Sequence, residues 1–169
     1  MATNLNIEVT PISRVEGHGD LVLDVKNQKI EKLQFRIPES PRFFEAMLVG
    51  KKYTEPSHIT SRICGICSVA HTFASIRATE AALGVKLNDQ ILKLRKLANH
   101  GEMIQSNCLH VYFLAAPDFL GVGSVVPLLK THPAVVQIAV NMKKVANEMV
   151  RVVGGRAIHP ITTVVGGFT

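Results

Sequence analysis

The sequence predicts a mainly α-helical protein with a small β element at its N-terminus, an α+β fold class. Residues 5–37 alternate apolar and polar side chains on both sides of a polar turn at 26–29, which is the pattern of a β-hairpin. Two later segments, 89–116 and 133–153, carry apolar residues at spacings of three and four, the spacing of one helix face. An alanine-rich segment with helical spacing lies between the hairpin and these two helices.

The N-terminal β element contains three short apolar segments. The first lies at 7–9, and the second and third, at 21–25 and 30–37, flank the polar turn. Pro38 closes this region, because proline cannot donate a backbone hydrogen bond to a sheet. A short helix is predicted next, from residue 42 to residue 49.

Residues that start or stop helices define the remaining elements. Gly84 predicts the end of the alanine-rich helix, and Asn88 predicts the N-cap of the helix that follows. Pro117 predicts the end of that second helix, and Pro133 suits the first turn of the last one. The segment 156–169 is predicted to be irregular.

No repeat, low-complexity tract or linker separates these elements. We therefore predict a single domain over residues 1–169, with a β-hairpin region at 5–37 and a helical region at 40–169. At 47% hydrophobic residues and without tryptophan, the chain should build its core mainly from aliphatic side chains.

Composition excludes several classes of function. The net charge of +6 is spread along the chain, with no basic run interleaved with aromatic residues, so we expect no nucleic-acid partner. No run of about 18 apolar residues is present, so we expect no membrane span. No signal peptide is evident, and three cysteines in such a chain argue against a disulfide framework. The cytoplasm is the expected compartment.

The most informative stretch contains two cysteines separated by two residues. Cys64 and Cys67 can place both sulfurs on one metal ion, or join in a small reactive disulfide. Cys67 precedes the alanine-rich helix, and the partial positive charge at a helix N-terminus favours a thiolate. His71 lies one helical turn beyond Cys67, and Arg62 adds a positive charge before Cys64. The stretch indicates either a site for a soft metal or a redox pair.

Two alternatives remain open from these residues alone. The first is a zinc-binding or assembly subunit, in which four residues share one ion: Cys64, Cys67, His71 and Cys108. Cys108, however, lies on the apolar face of its helix, where a buried thiol behaves as a small hydrophobe. The second is a thiol–disulfide oxidoreductase, although the segment before Cys64 does not have the pattern of the expected strand.

Two carboxylates elsewhere are candidate functional groups. Glu16 lies in a glycine-containing loop beside Arg14, and chemistry alone favours a simple salt bridge between them. Glu45 lies among apolar neighbours on the short predicted helix, where it is either a paired charge or a ligand for a hard cation.

Taken together, these motifs carry a resemblance that no single one does. The order and spacing of the segments 14–18, 44–50 and 62–71 resemble the N-terminal part of the large, catalytic subunit of nickel–iron hydrogenases. The cytoplasmic enzymes that couple to heterodisulfide reductase, to a deazaflavin or to NAD(P) are the most similar in appearance. The resemblance extends through the whole chain, including residues 154–160. It implies long packed helices of the large-subunit type.

The resemblance implies a role for each matching residue. Cys64 looks like the terminal nickel ligand, and Cys67 looks like the ligand that bridges nickel and an iron with diatomic ligands. Glu16 occupies the place of the family's proton gate, and Glu45 matches a carboxylate that binds magnesium or a similar ion. The implied reaction is the reversible heterolytic cleavage of H2 to protons and electrons.

Three further residues match positions near the family's cofactors. His71 matches the histidine beside the bridging thiolate, and His159 matches a residue that lies towards the iron–sulfur cluster of the small subunit. The region of Arg62 is expected near the same contact.

The family's second pair of cysteines is absent from this sequence. We therefore expect that a missing C-terminal half, or a second polypeptide that carries it, supplies the remaining ligands. The implied partners are that polypeptide, an iron–sulfur small subunit, and an electron-acceptor subunit.

Overall fold

The computed structural model describes residues 4–169. The chain separates into two compact units, the first ending at Phe43 and the second running from Phe44 to Thr169. The predicted mainly α fold with a small N-terminal β element is confirmed. The single-domain organisation stays a prediction.

The N-terminal unit is a three-stranded antiparallel sheet with the order β1–β2–β3. Its strands are β1 (Leu5–Val9), β2 (Asp20–Lys26) and β3 (Lys29–Arg36). The predicted turn between β2 and β3 contains Asn27 and Gln28, with φ angles of 49° and 65°. Positive φ at both central residues matches the twist of a two-residue hairpin, and asparagine tolerates this conformation well.

Three helices follow in chain order. They are α1 (Pro41–Leu48), α2 (Pro56–Thr60) and α3 (Ser68–Leu83). The predicted stop signal of α3 is confirmed, because Gly84 adopts the left-handed conformation at φ 67°. This conformation lets the last turn of the helix close without a steric clash at Cβ.

The second long helix differs from its prediction at the C-terminal end. Asn88 caps α4 (Asp89–Cys108) as predicted, since its Oδ1 accepts from the N–H of Ile91 at 2.9 Å. The helix then widens into a π-helical segment (Leu109–Ala115) and continues as α5 (Ala116–Phe119). The prediction that Pro117 ends the helix is wrong, because the π segment places this residue in the first turn of α5. A missing N–H costs little there.

The last long helix matches its prediction, and the C-terminal segment is more ordered than predicted. A single turn, α6 (Leu128–Thr131), precedes α7 (Pro133–Gly154), which ends with Gly155 in the left-handed conformation. The segment predicted to be irregular contains a small antiparallel pair, β4 (Thr163–Val164) and β5 (Gly167–Phe168).

The core of the second unit lies where α3, α4 and α7 meet. Its buried cluster combines side chains from all three helices: Val69, Phe73, Ala98 and Val150. Gly101 permits the close contact of α4 with α7, since a Cβ there would lie 3.0 Å from Val150 Cγ2 and 3.1 Å from the Ala146 carbonyl oxygen. Within residues 4–169, no helix combines the length and apolar character that a membrane crossing needs.

Candidate metal centre

The two cysteines lie together in the loop between α2 and α3. Cys67 is the N-cap residue of α3, as predicted, and both side chains are half-buried. The two residues are joined by a disulfide across a Cα–Cα distance of 5.5 Å. The N–H of Cys67 also donates to the sulfur of Cys64 at 3.1 Å. Two sulfurs that can bond to each other are also close enough, once reduced, to share a metal ion.

A glutamine on α4 holds the loop at the residue before Cys67. Gln105 is buried, and its Nε2 donates to the carbonyl oxygen of Ile66 at 2.6 Å. Its Oε1 accepts from the Nζ of Lys143 on α7 at 2.7 Å. The loop is therefore fixed by a hydrogen-bonded chain that starts on α7 and passes through α4.

A glutamate on α4 holds the loop at the residues after Cys67. Glu102 is only 5% exposed, and its two carboxylate oxygens accept from the N–H groups of Val69 and Ala70 at 2.5 and 2.9 Å. Burial raises the pKa of Glu102 above its usual value, against the opposing effect of these two hydrogen bonds. The N-terminus of α3 thus receives its cap from a different helix.

Neither Glu102 nor Gln105 was among the site residues predicted from the sequence. A usable signal was present, because three polar residues, Arg95, Glu102 and Gln105, recur along one face of α4 at spacings of seven and three. All three are buried. Polar residues at helical spacing along a buried face require partners, and here the partners of two of them lie in the cysteine loop.

His159 contacts both ends of the cysteine loop from the C-terminal segment. Its Nδ1 lies 2.7 Å from the carbonyl oxygen of Ser61, and its N–H donates to the Oγ of Ser68 at 2.9 Å. Both serines are buried. His159 adopts a φ of 57°, which is uncommon for a residue with a side chain.

The other predicted residues of the second unit lie at different distances from the sulfurs along the chain. His71 is half-buried one helical turn beyond Cys67, and its N–H donates to the Cys67 carbonyl oxygen at 3.2 Å. Arg62 is exposed in the same loop. Glu45 is exposed on α1.

Glu16 lies in the N-terminal unit, in the loop between β1 and β2, and is exposed. Two contacts within that unit close the loop. The N–H of Ile12 donates to the carbonyl oxygen of Gly19 at 2.8 Å, and His18 Nδ1 lies 2.7 Å from Glu39 Oε1. The hydrogen bond from His18 lowers the pKa of Glu39.

The zinc alternative fails on the position of Cys108. This residue is 2% exposed, and its thiol donates to the carbonyl oxygen of Ala139 at 3.1 Å, so it is a core thiol as predicted. Within residues 4–169, no three histidine, cysteine, aspartate or glutamate side chains come together as a group able to hold a metal. The described chain therefore contributes two sulfurs to a metal site, and not four ligands.

The comparison with known protein families supplies the deciding observation. Residues 42–138, more than half of the chain, match the family described as nickel-dependent hydrogenase. This chain belongs to the nickel-dependent hydrogenase family. The matched range contains both cysteines of the loop and both α4 residues that hold it. The resemblance drawn from the sequence motifs is thereby confirmed.

Individual hydrogenases match almost the whole chain. The alpha subunit of sulfhydrogenase 2 from Pyrococcus furiosus is 38% identical over 162 residues, which cover 96% of this chain and 39% of the relative. A polypeptide of the vhu F420-non-reducing hydrogenase from Methanocaldococcus jannaschii is 40% identical, over 95% of this chain and 40% of the relative. The chain spans about two fifths of the length of these relatives and corresponds to their N-terminal part.

A solved hydrogenase structure shares the fold. The NAD+-reducing [NiFe]-hydrogenase in its H2-reduced state superposes with a TM-score of 0.79 and 31% identity, covering 99% of this chain and 39% of that one. The match includes both units of this hydrogenase chain.

Proposed function

We propose that this chain is the N-terminal part of the catalytic subunit of a nickel–iron hydrogenase, which cleaves H2 reversibly into protons and electrons. The observation that carries the proposal is the pair of adjacent sulfurs of Cys64 and Cys67 at the N-terminus of α3, in a chain of this family. The alpha subunits of two sulfhydrogenases among its relatives support the assignment to the large subunit.

The donor set fits a nickel–iron centre in part. Thiolates are soft donors that suit nickel and low-spin iron, and the half-buried loop leaves both sulfurs accessible to further ligands. In this proposal Cys64 is a terminal nickel ligand, and Cys67 bridges nickel and iron. The centre, when bound, supplies the Lewis-acid and redox chemistry of H2 cleavage. The second pair of thiolates comes from the C-terminal part of the subunit.

The chain's own contribution to proton transfer is assigned to Glu16. A carboxylate can accept a proton and release it along a relay, and the exposed loop leaves this side chain able to exchange protons. The other assignments follow the family positions. His71 lies beside the bridging thiolate, and Glu45 binds magnesium or a similar hard cation.

Electrons must leave a half-buried site through a relay that these residues do not provide. We therefore propose an iron–sulfur small subunit that docks near His159 and Arg62, together with an electron-acceptor subunit. The assembled enzyme is proposed to work in the cytoplasm. The isolated chain, with two of the four thiolates, is expected to show no hydrogen uptake or evolution.

Metal analysis of the complex, purified without oxygen, tests the proposal. Nickel together with iron supports it. A second candidate, thiol–disulfide exchange, is favoured by one observation, the Cys64–Cys67 disulfide at a helix N-terminus. A metal-free complex in which this disulfide cycles with thiols would support that candidate instead. Zinc alone would indicate a non-catalytic metal-binding or assembly subunit.

A further inference from the structure

The N-terminus of α3 is capped by a residue that does not belong to α3. The N-cap residue, Cys67, makes no side-chain capping hydrogen bond. The N–H groups of Val69 and Ala70 donate instead to the carboxylate of Glu102 on α4. These are the second and third helical positions, whose donors an N-cap side chain ordinarily satisfies. Glu102 therefore does what the side chain of Cys67 would otherwise do.

The other side of Cys67 is held in a similar way. The carbonyl oxygen of Ile66 accepts from the amide of Gln105, which lies three residues after Glu102 on α4. Lys143 fixes the orientation of that amide. Because an ammonium group can only donate, it requires the oxygen of Gln105 to face it and the nitrogen to face Ile66.

We propose that Glu102 and Gln105 are positioning residues for Cys67, which satisfy the backbone on both sides of it and leave its sulfur free to bind the metal. The inference rests on the proposed function. A sulfur that capped α3 would share its lone pairs with the N–H groups of Val69 and Ala70. Groups that orient a metal ligand commonly change metal affinity by about 10–100-fold when they are removed.

The test compares two substitutions of Glu102 in the assembled complex. Glu102→Ala removes both acceptors, and Glu102→Gln keeps the size but replaces one acceptor with an NH2 group. Asn88→Ala is the matched control, because it also removes a helix cap but lies at the far end of α4 from the cysteine loop. Its melting temperature should fall to a comparable extent.

Nickel release to a chelator is the first readout. We expect release to be about 10–100-fold faster in Glu102→Ala than in wild type, intermediate in Glu102→Gln, and unchanged in Asn88→Ala. Nickel K-edge X-ray absorption should show altered nickel–sulfur distances in the Glu102 variants alone. A cap that only stabilised α3 would lower the melting temperature without changing this spectrum.

Hydrogen exchange of the backbone provides a readout that needs no metal. Peptides covering residues 64–71 should exchange faster in both Glu102 variants and in Gln105→Leu, but not in Asn88→Ala. If Glu102→Ala fails to assemble, Glu102→Gln and Gln105→Leu decide the question. The inference is overturned if these variants release nickel at the rate of Asn88→Ala.

Failure of the proposed function has a different signature. A wild-type complex without nickel would refute the hydrogenase assignment. In that case, unchanged protection of residues 64–71 in Glu102→Gln would overturn the positioning role as well. A nickel-containing wild type with unresponsive variants would overturn the positioning role alone.

Discussion

The two loops that carry the motif residues are held in different ways. The cysteine loop of the second unit is fixed by buried or half-buried contacts from α4, α7 and the C-terminal segment, through Gln105, Glu102 and His159. The Glu16 loop is closed by contacts within the N-terminal unit, and its polar side chains are exposed. A metal ligand must be held within narrow geometric limits, whereas a proton-transfer carboxylate needs access to both donor and acceptor. The difference between the loops therefore follows the chemistry proposed for each.

Removing a sulfur from the rigid loop should have the largest effect. Cys64→Ser replaces a soft thiolate by a hydroxyl that is a poor nickel ligand, so we expect loss of nickel from the assembled complex. Cys108→Ser is the matched control. The hydroxyl can still donate to the Ala139 carbonyl oxygen, so nickel should be retained. Metal analysis of both variants measures the difference, and nickel retained in Cys64→Ser would contradict the ligand assignment.

Removing the titratable group from the exposed loop should affect turnover and not metal content. Glu16→Gln keeps the size of the side chain but can no longer carry a proton. We expect hydrogen turnover and isotope exchange with water to fall by about 10²–10⁴-fold, with unchanged nickel and iron. Glu31→Gln, another exposed carboxylate of the N-terminal unit, is the control and should leave turnover unchanged.

The competing interpretation of Glu16 predicts a different outcome. If Glu16 serves only as a loop ion pair, its replacement should cost about 0–1 kcal/mol of stability and leave turnover near normal. A fully active Glu16→Gln variant would remove the proton-transfer assignment. It would leave the assignment of the two cysteines intact.

A smaller effect is expected when one of the contacts that hold the cysteine loop is removed. Gln105→Leu leaves the carbonyl oxygen of Ile66 without its donor, and the free energy of unfolding should fall by about 1–3 kcal/mol. Gln137→Leu is the control, because this glutamine is exposed on α7 and donates to the side chain of Asn141. Urea unfolding of the two purified variants gives the comparison. Equal stability of both would show that the cysteine loop is not held by Gln105.

The sequence predicted the elements and motifs better than the contacts that hold them. Helix ends at Gly84, Asn88 and Pro133 were predictable, because capping and backbone preferences act over a few residues. The adjacency of Cys64 and Cys67 was predictable for the same reason. Glu102 and His159 were different, since their partners lie about 30 and 90 residues away in the chain. Such contacts depend on tertiary packing, which local patterns do not encode.

The π-helical segment shows a second limit of local reasoning. Proline in a helical pattern predicts a break, because it lacks an N–H and its ring collides with the preceding turn. The segment Leu109–Ala115 changes the hydrogen-bond register before Pro117, so the helical course continues to Phe119. A residue rule that is correct for an α-helix therefore gave the wrong end for this one.

The smallest effect should come from the ion pair that closes the Glu16 loop. The hydrogen bond from His18 is the largest cause of the lowered pKa of Glu39. A lowered carboxyl pKa means that this contact stabilises the loop at pH values above the unfolded pKa, and that the contribution is lost as the pH falls through the folded pKa. In His18→Ala the pKa of Glu39 should rise towards its usual value, as an NMR titration of its carboxyl carbon would measure. Because both side chains are exposed, we expect little change in overall stability, in contrast to Gln105→Leu. An unchanged Glu39 pKa in this variant would show that the contact does not persist in solution, and that the Glu16 loop is held even less firmly than the structure indicates.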